Sequence, residues 1–244
     1  MKDKKQANFL CPYSTLKIYA CTLILNISWD YKLSTFFQHF RCLRSLTLDC
    51  QSNDLFENFI HLRYLNLRYY NADELPKTIY HLCNLQILKI DFYGNFKLIL
   101  HGIGKLINLR HLILKYSGYD VSQLEYPRGF GRLTSLRGLS HFYVSGTKDG
   151  CKLGELKDLN QLEGSLDIVG LENVADVREA ENAQLKKKIC LHTLKLQVTD
   201  EFGNDRRIEN DVSVLNALES PLNLKYLSIS WYRGTTMFLI GRCL

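Results

Sequence analysis

A hexad with apolar residues at its first, fourth and sixth positions recurs along the chain and constrains its fold more than any other feature. Six good copies occupy Leu43–Leu48, Leu62–Leu67, Leu85–Ile90, Leu109–Leu114, Leu191–Leu196 and Leu224–Ile229. Weaker copies lie at Leu136–Leu139 and Leu162–Ile168. The recurrence of one short pattern over most of a chain is typical of a stacked-repeat protein.

The spacing within each copy predicts a short, half-buried β-strand. The last two apolar residues are two positions apart, so their side chains point to one face of the strand and the residue between them points to the other. One strand cannot bury its apolar row alone, whereas stacked repeats form a parallel sheet over a continuous core. We therefore expect one buried row made of Leu46, Leu48, Leu65, Leu67, Leu88, Ile90, Leu112, Leu114, Leu194, Leu196, Leu227 and Ile229.

The repeats are unequal in length, from 19 residues between Leu43 and Leu62 to 33 between Leu191 and Leu224. The position past the strand that often holds a buried asparagine instead carries Gln51, Tyr70, Tyr93 and Ser117. A continuous asparagine ladder is therefore not expected there. The predicted fold is an α/β repeat: an irregular leucine-rich-repeat solenoid, or horseshoe, with a concave parallel β-sheet.

The segments between the strands show apolar residues at steps of about three positions. Three copies of this second pattern are Leu75–Leu85, Leu100–Leu109 and Pro127–Leu136. Such a step predicts short helical or 3-10 segments on the convex side. Residues 175–188 predict an amphipathic helix, and the lysines at 186–188 are interpreted as its solvated end.

Length and composition favour one globular domain. Of the 244 residues 46% are hydrophobic and only 4 are proline, which is unlike a disordered chain or one divided by a long linker. We assign 1–40 to an irregular segment or a degenerate first repeat, 41–236 to the repeat domain and 237–244 to a non-repeat tail. A secretory signal is the alternative at the N-terminus, where lysines precede the apolar stretch Ile18–Ile27, although Pro12 and Lys17 argue against it. No stretch reaches the roughly 20 apolar residues of a membrane span.

Charge and cysteine usage narrow the classes of partner. The 31 basic and 25 acidic residues are interleaved, which favours an acidic protein partner over nucleic acid. The 8 cysteines form no C-x-x-C pair and have no histidine at metal-ligand spacing. We therefore expect reduced thiols, no metal site and a cytoplasmic location.

The motifs that resemble catalytic sites fit the repeat better. Gly102–Leu106 is similar to a phosphate-binding loop, but Ile99 stands where such a loop has glycine, and Leu106 where it has serine or threonine. His61, His81 and His111 follow the repeat period and do not converge on one site. We therefore expect no catalytic residue and no cofactor, and hence that the chain is not an enzyme. A hydrolase or nucleotide-binding enzyme is the most distant alternative.

Residues Gly150–Leu166, with Leu171–Val177 and Leu191–Leu194, resemble the repeat region of plant intracellular nucleotide-binding leucine-rich-repeat disease-resistance proteins of the coiled-coil type. The resemblance extends over roughly 41–236. It implies a protein-binding module of an immune receptor, which recognises a pathogen effector or a guarded host protein and holds a nucleotide-binding module inactive. The coiled-coil, nucleotide-binding and later repeat segments of that family have no counterpart here, so we expect a truncated product or a fragment.

The residues beside the inward leucines are the candidate protein-binding site: Arg44, Thr47, Asp49, Arg63, Tyr64, Asn66, Arg68, Lys89, Asp91, Arg110, His111 and Lys115. Arginine and tyrosine at such positions are favoured interface anchors. Six of these residues are basic and two are acidic. We therefore expect columns of like positive charge that dock an acidic protein surface.

Two other functions remain open. A generic leucine-rich-repeat scaffold or regulatory protein without a defence role would share the same repeats. A plant cell-surface receptor would carry a Gly-x-Ile-Pro turn in each repeat and many glycosylation sequons, whereas this chain has one sequon, at Asn26–Ser28.

Overall fold

The computed structural model describes residues 21–25, 40, 42–49, 56, 59–70, 72, 74–92, 98–116, 124–198 and 212–230. The sequon at 26–28 and the tail at 237–244 lie outside these residues. Twelve strands are described: β1 (Thr22–Leu25), β2 (Ser45–Asp49), β3 (Tyr64–Tyr70), β4 (Ile87–Phe92), β5 (Leu98–Ile99), β6 (His111–Tyr116), β7 (Leu124–Glu125), β8 (Gly138–Leu139), β9 (His141–Tyr143), β10 (Glu163–Val169), β11 (Cys190–Gln197) and β12 (Tyr226–Ser230).

A parallel sheet runs along the solenoid in two stretches that meet at Ser140. Strands β1, β2, β3, β4, β6 and β8 lie side by side in chain order, and β9, β10, β11 and β12 form the second stretch. Only Ser140 separates β8 from β9, and its carbonyl accepts a hydrogen bond from the Asp167 amide at 3.0 Å. The short strands β5 and β7 pair with each other in a separate sheet. The predicted parallel sheet of a repeat solenoid is confirmed.

The inward side chains of the hexads form the expected buried row. Leu46 is in register with Leu65, and Leu65 with Leu88, so equivalent leucines of successive repeats stack on one another. All inward residues from Leu46 to Leu196 in the predicted row are buried. The prediction is wrong for Leu227 and Ile229, which are half-buried against the core. They lie on β12, the last strand in the described part of the sheet, where only one neighbouring repeat covers them.

The convex segments are 3-10 helices, as the three-residue step predicts. They lie at Lys77–His81, Ile103–Lys105, Phe130–Arg132, Leu153–Asp158, Leu171–Asn173 and Leu185–Lys187. Each places one or two apolar side chains, such as Ile103 and Phe130, in the core between neighbouring repeats. The remaining turn residues are half-buried or exposed.

Asparagine side chains join the repeats, mostly in the turns before the strands, although Asn173, which follows β10, also donates to the Val144 carbonyl at 3.1 Å. Three Nδ2 groups donate to main-chain carbonyls of the preceding repeat at 2.7 to 2.8 Å: Asn84 to Ile60, Asn108 to Cys83 and Asn223 to Ile189. At the predicted asparagine position of the repeat that contains β3, Tyr70 ends the strand, is buried, and donates its hydroxyl to the Glu74 carbonyl at 2.6 Å. Gln51, Tyr93 and Ser117 lie outside the described residues. The turns that enter the strands are therefore held by side-chain amides.

The helix predicted for 175–188 is confirmed only over Val177–Asn182, here named α1. Asp176 caps it by accepting a hydrogen bond from the Arg178 amide. The helix ends near Gln184, whose φ of 49° is left-handed. A second helix, α2, covers 212–217.

Lys188 corrects the interpretation of the lysine triplet as a solvated helix end. Its side chain is fully buried, and Nζ donates to the Leu156 carbonyl at 2.7 Å. The reason lies in the repeat. Lys188 stands three residues before the lead Leu191, at the position that Leu82 and Leu106 fill in earlier repeats, where both are buried.

Candidate functional site

The concave face consists of the strand residues that alternate with the buried leucines. Nine of the twelve candidate residues lie on these strands: Thr47, Asp49, Tyr64, Asn66, Arg68, Lys89, Asp91, His111 and Lys115. The other three, Arg44, Arg63 and Arg110, directly precede β2, β3 and β6 and are exposed. The structure therefore divides the predicted set between the concave face and the edge where the strands begin.

Charges on the concave face alternate in sign between neighbouring strands, unlike the columns of like charge expected from sequence. Asp49 and Arg68 are register partners on β2 and β3, and the carboxylate accepts two guanidinium hydrogen bonds at 2.5 and 3.0 Å. Asp91 pairs with Lys89 at 3.3 Å and is in register with Lys115 on β6. Opposite charges at this spacing attract. The three basic and two acidic candidate residues on these strands therefore largely offset one another.

Two buried oxygen atoms on this face accept no hydrogen bond from the described residues: Asn66 Oδ1 and Asp91 Oδ1. Asn66 on β3 is only 7% exposed, and its register partner on β4 is Lys89, two residues before Asp91. An unpaired buried acceptor costs about 1 to 3 kcal/mol.

Tyr69 is an exposed aromatic residue on β3 that the sequence analysis did not include. It is 65% exposed, and the pairing of β3 with β4 shifts register between Leu67 and Tyr70. Its φ of 54° is uncommon for a residue other than glycine. A β-bulge of this kind redirects a side chain, here towards solvent. The adjacent pair Tyr69 and Tyr70 was the available signal, because only one of two successive strand residues can point into the core.

A second polar cluster lies on later strands than those from which the candidates were taken. The Asp167 carboxylate on β10 is nearly buried and lies 3.4 Å from Lys195 Nζ on β11 and 3.7 Å from His141 Nε2 on β9. Burial lowers the pKa of His141, while the Asp167 carboxylate opposes this shift. The hexad Leu191–Leu196 already indicated that Lys195 points outward. The outward positions of His141 and Asp167 were harder to predict, because the repeat spacing is irregular near Ser140 and the β10–β11 register shifts at Gly164.

The segment that resembles a phosphate-binding loop has a structural role. Gly102 has a φ of +89°, and a Cβ at Gly104 would lie 2.4 Å from the Gly129 carbonyl of the next repeat. Both glycines are therefore required by the turn and by the close packing of repeats. His61 and His81 are exposed and His111 is half-buried on β6, each in a separate repeat.

The cysteines, possible metal ligands and helices of the described residues supply no further group to the candidate protein-binding site. Cys42, Cys83, Cys151 and Cys190 are free thiols, and burial raises the pKa of Cys151. Within the described residues, no three His, Cys, Asp or Glu side chains lie close enough together to hold a metal ion. In the same part of the chain, no helix is long and apolar enough to cross a membrane.

The repeat geometry agrees with the comparison to known families: residues 24–238 match the model described as a leucine-rich repeat region. The chain belongs to the leucine-rich-repeat family. It is 36% identical over 205 residues to the putative disease resistance protein RGA1 of Solanum bulbocastanum, an alignment that covers 75% of this chain and 20% of that protein. It is 35% identical over 187 residues to the putative disease resistance RPP13-like protein 1 of Arabidopsis thaliana, covering 74% of this chain and 17% of that protein.

These matches confirm the resemblance to the repeat region of plant disease-resistance proteins. The chain spans about a fifth of the length of the Solanum relative, 20%. Among solved structures, the internalin C2 of Listeria monocytogenes is 19% identical, with a TM-score of 0.44 over 80% of this chain and 74% of that one.

Proposed function

We propose that this chain is a protein-binding leucine-rich-repeat module of a plant immune receptor, which acts in the cytoplasm and not as an enzyme. Its concave face docks the nucleotide-binding module of a related receptor and holds it inactive. A pathogen effector or a guarded host protein competes for this face or engages later repeats. The disease-resistance relatives support this proposal, and the face itself supplies the observation that carries it.

The observation concerns the concave face formed by β3, β4 and β6. Polar and charged side chains point outward there, and some of its polar atoms have no hydrogen-bond partner among the described residues. Tyr64 and Lys115 face outward with half-buried and exposed side chains, while Asn66 and Asp91 each keep a buried acceptor unpaired. Tyrosine and cationic residues beside desolvated polar groups are typical of interface hot spots. The accessible Tyr64 and Lys115 side chains thus favour recognition of a protein surface that presents carboxylates and hydrogen-bond acceptors.

The test is a binding titration between the full chain and a separately expressed nucleotide-binding module from a full-length disease-resistance relative, at low and high salt. Tyr64→Ala combined with Lys115→Glu should weaken binding by at least about tenfold, because it removes an anchor and reverses an exposed charge. The exposed Lys157 belongs to a convex turn. Lys157→Glu is therefore the matched control and should bind like wild type.

The alternative is a generic repeat scaffold without a defence role, which shares the fold but has no reason to bind a nucleotide-binding module. Absence of binding by wild type at low salt would favour this alternative. Equal binding by wild type and the double variant at both salt concentrations would contradict the assignment of the concave face.

A further inference from the structure

Exposed aliphatic side chains recur at one position of the repeat, two residues before the lead leucine. Ile60, Ile107, Ile189 and Leu222 all occupy it and are between 53% and 80% exposed. Packing does not demand an aliphatic residue there, because Thr134 and Asn160 stand at the same position in other repeats. The asparagine amides hold only the main chain of these turns, as at the Ile60 carbonyl.

Basic side chains recur three positions later and form a column along the same edge. Successive amide-to-carbonyl hydrogen bonds of 2.7 to 2.8 Å link the residues of this column in the order Arg44, Arg63, Gln86, Arg110 and Arg137. All four arginines are exposed, and none forms an ion pair with a carboxylate among the described residues. This column of like charge lies at the edge of the concave face and ends at Arg137, because the next residue in the same hydrogen-bond series is the exposed Glu163, whose amide donates to the Arg137 carbonyl at 2.9 Å.

The aliphatic and basic residues of the early repeats are parts of one surface, which we call the edge patch: Ile60, Arg63, Cys83, Gln86, Ile107, Arg110, Thr134 and Arg137, with Arg44 at its end. The turns 59–63, 82–86, 106–110 and 133–137 contain no aspartate or glutamate. Exposed apolar side chains flanked by uncompensated charge of one sign indicate a binding surface for a partner of opposite charge.

We propose that the edge patch binds an acidic amphipathic helix of a partner protein, at a surface separate from the concave face. Ile60 and Ile107 are two strands apart, which places them about 10 Å from each other. Residues i and i+7 on one face of an α-helix are separated by about 10.5 Å. A helix laid across the strands therefore brings successive leucines of one stripe onto the two isoleucines, while carboxylates beside the stripe face Arg63 and Arg110.

The test uses the full chain and a fluorescein-labelled synthetic helix of about three heptads. The peptide carries leucine in one stripe, glutamate on both flanks, and alanine and lysine on the far side. Fluorescence anisotropy gives its Kd at low and high salt. A scrambled peptide of the same composition, which has no stripe, is the peptide control. Wild type should bind the amphipathic peptide more weakly at high salt and should bind the scrambled peptide poorly.

Two double variants replace the edge residues with residues that the chain itself carries at equivalent positions. Ile60→Thr with Ile107→Thr copies Thr134, and Arg63→Gln with Arg110→Gln copies Gln86. Each pair should raise the Kd of the peptide at least about tenfold. Ile189→Thr, in a distant repeat, is the matched control and should bind like wild type, as should Lys157→Glu on a convex turn.

An unchanged Kd in both double variants, with thermal unfolding like that of wild type, would overturn the proposal, and so would equal binding of the scrambled peptide. Flotation with vesicles of phosphatidylcholine and phosphatidylserine tests a membrane as the occupant. Vesicle binding that the edge variants abolish, while their peptide binding is unchanged, would also overturn it. A failed concave-face titration leaves this result intact, because the two tests use different residues and different probes.

Discussion

Lys188 places an ammonium group inside the core, among neutral acceptors. Its Nζ donates to the Leu156 carbonyl at 2.7 Å and to Asn160 Oδ1 at 3.3 Å. Burial lowers the pKa of Lys188 to about 8, and the nearby Asp158 carboxylate offsets only part of this shift. The charged form is therefore disfavoured in the folded protein relative to the unfolded chain.

We expect the free energy of unfolding to rise with pH through the pKa of Lys188. Above about pH 8 the folded protein releases this proton, whereas the unfolded chain keeps it until about pH 10.4. The unfolded state then binds more protons, so stability increases across this window, while below it the group adds no pH dependence. Lys188→Met should remove the increase, as measured by urea titrations at about pH 7.5 and about pH 9.5.

Lys187 is the matched control for this prediction, because it is exposed and adjacent. Lys187→Met should keep the pH-dependent gain of the wild type. A gain of equal size in wild type and Lys188→Met would contradict an origin in Lys188.

The placement of some single residues could be predicted from the sequence, and that of others could not. The inward leucines could be predicted because each hexad repeats the same spacing. Lys188 could not be placed from its own polarity, although alignment of the repeats puts it at the buried position of Leu82. The tyrosine pair Tyr69 and Tyr70 indicated that one of the two is exposed, but not which one, and the unpaired oxygen of Asn66 could not be predicted, because a register shift and the local hydrogen bonding of a strand depend on its neighbours.

The 3-10 turns are joined across repeats by glutamate carboxylates. Glu155 accepts hydrogen bonds from the amides of Gly129 and Gly131 at 3.2 and 2.9 Å, and Glu179 accepts one from the Leu153 amide at 2.8 Å. These amides lie at the start of turns, where a short helix has no internal partner for them. Each carboxylate thus accepts hydrogen bonds from amides in the turn of the preceding repeat, which have no acceptor within that turn.

Removal of one carboxylate should loosen the preceding turn. Glu155→Ala should lower the free energy of unfolding by about 1 to 3 kcal/mol, because two amides lose their acceptors. Hydrogen exchange at Gly129 and Gly131 should become faster. Glu181→Ala removes an exposed carboxylate on α1 and should change neither quantity. Unchanged exchange at both glycines in Glu155→Ala would argue against this role.

Elements differ in how well the sequence predicts them. The strands of the six good hexads follow from a period-two pattern set by the chain itself and were predicted closely, whereas β5 and β7 were not predicted. The helix predicted over 175–188 was too long, because Gln184 turns left-handed and lets the chain enter the next repeat. The irregular spacing near Ser140 and the register shift between β10 and β11, where His192 of β11 has no partner on β10, were not predicted, since a bulge is defined only against the partner strand.

At the scale of the whole molecule, each repeat is coupled mainly to its neighbours. β4 hydrogen-bonds to β3 and β6, whereas at Ser140 the sheet passes from the short β8 to the short β9. Aromatic rings pack in the repeat that carries this junction. Tyr126 stacks on Phe130 with centroids 4.6 Å apart, and Phe142 meets Phe130 edge-on at 5.8 Å. These rings are therefore expected to couple the two stretches of the sheet.

Because each repeat is coupled mainly to its neighbours, a core cavity should reduce hydrogen-exchange protection mainly in the adjacent strands. Leu88→Ala should lower the free energy of unfolding by about 2 to 5 kcal/mol, because it opens a cavity in the core. The loss of hydrogen-exchange protection in this variant should be largest in β3, β4 and β6, while β10 and β11 stay protected. Phe142→Ala, at the junction, should reduce protection in β6 and in β10 together. Leu222→Ala is the matched control, because that leucine is 80% exposed, and it should leave stability and exchange unchanged. Uniform loss of protection from β2 to β11 in Leu88→Ala would mean that the solenoid unfolds as one cooperative unit, and that the aromatic junction transmits stability as strongly as the strand ladders do.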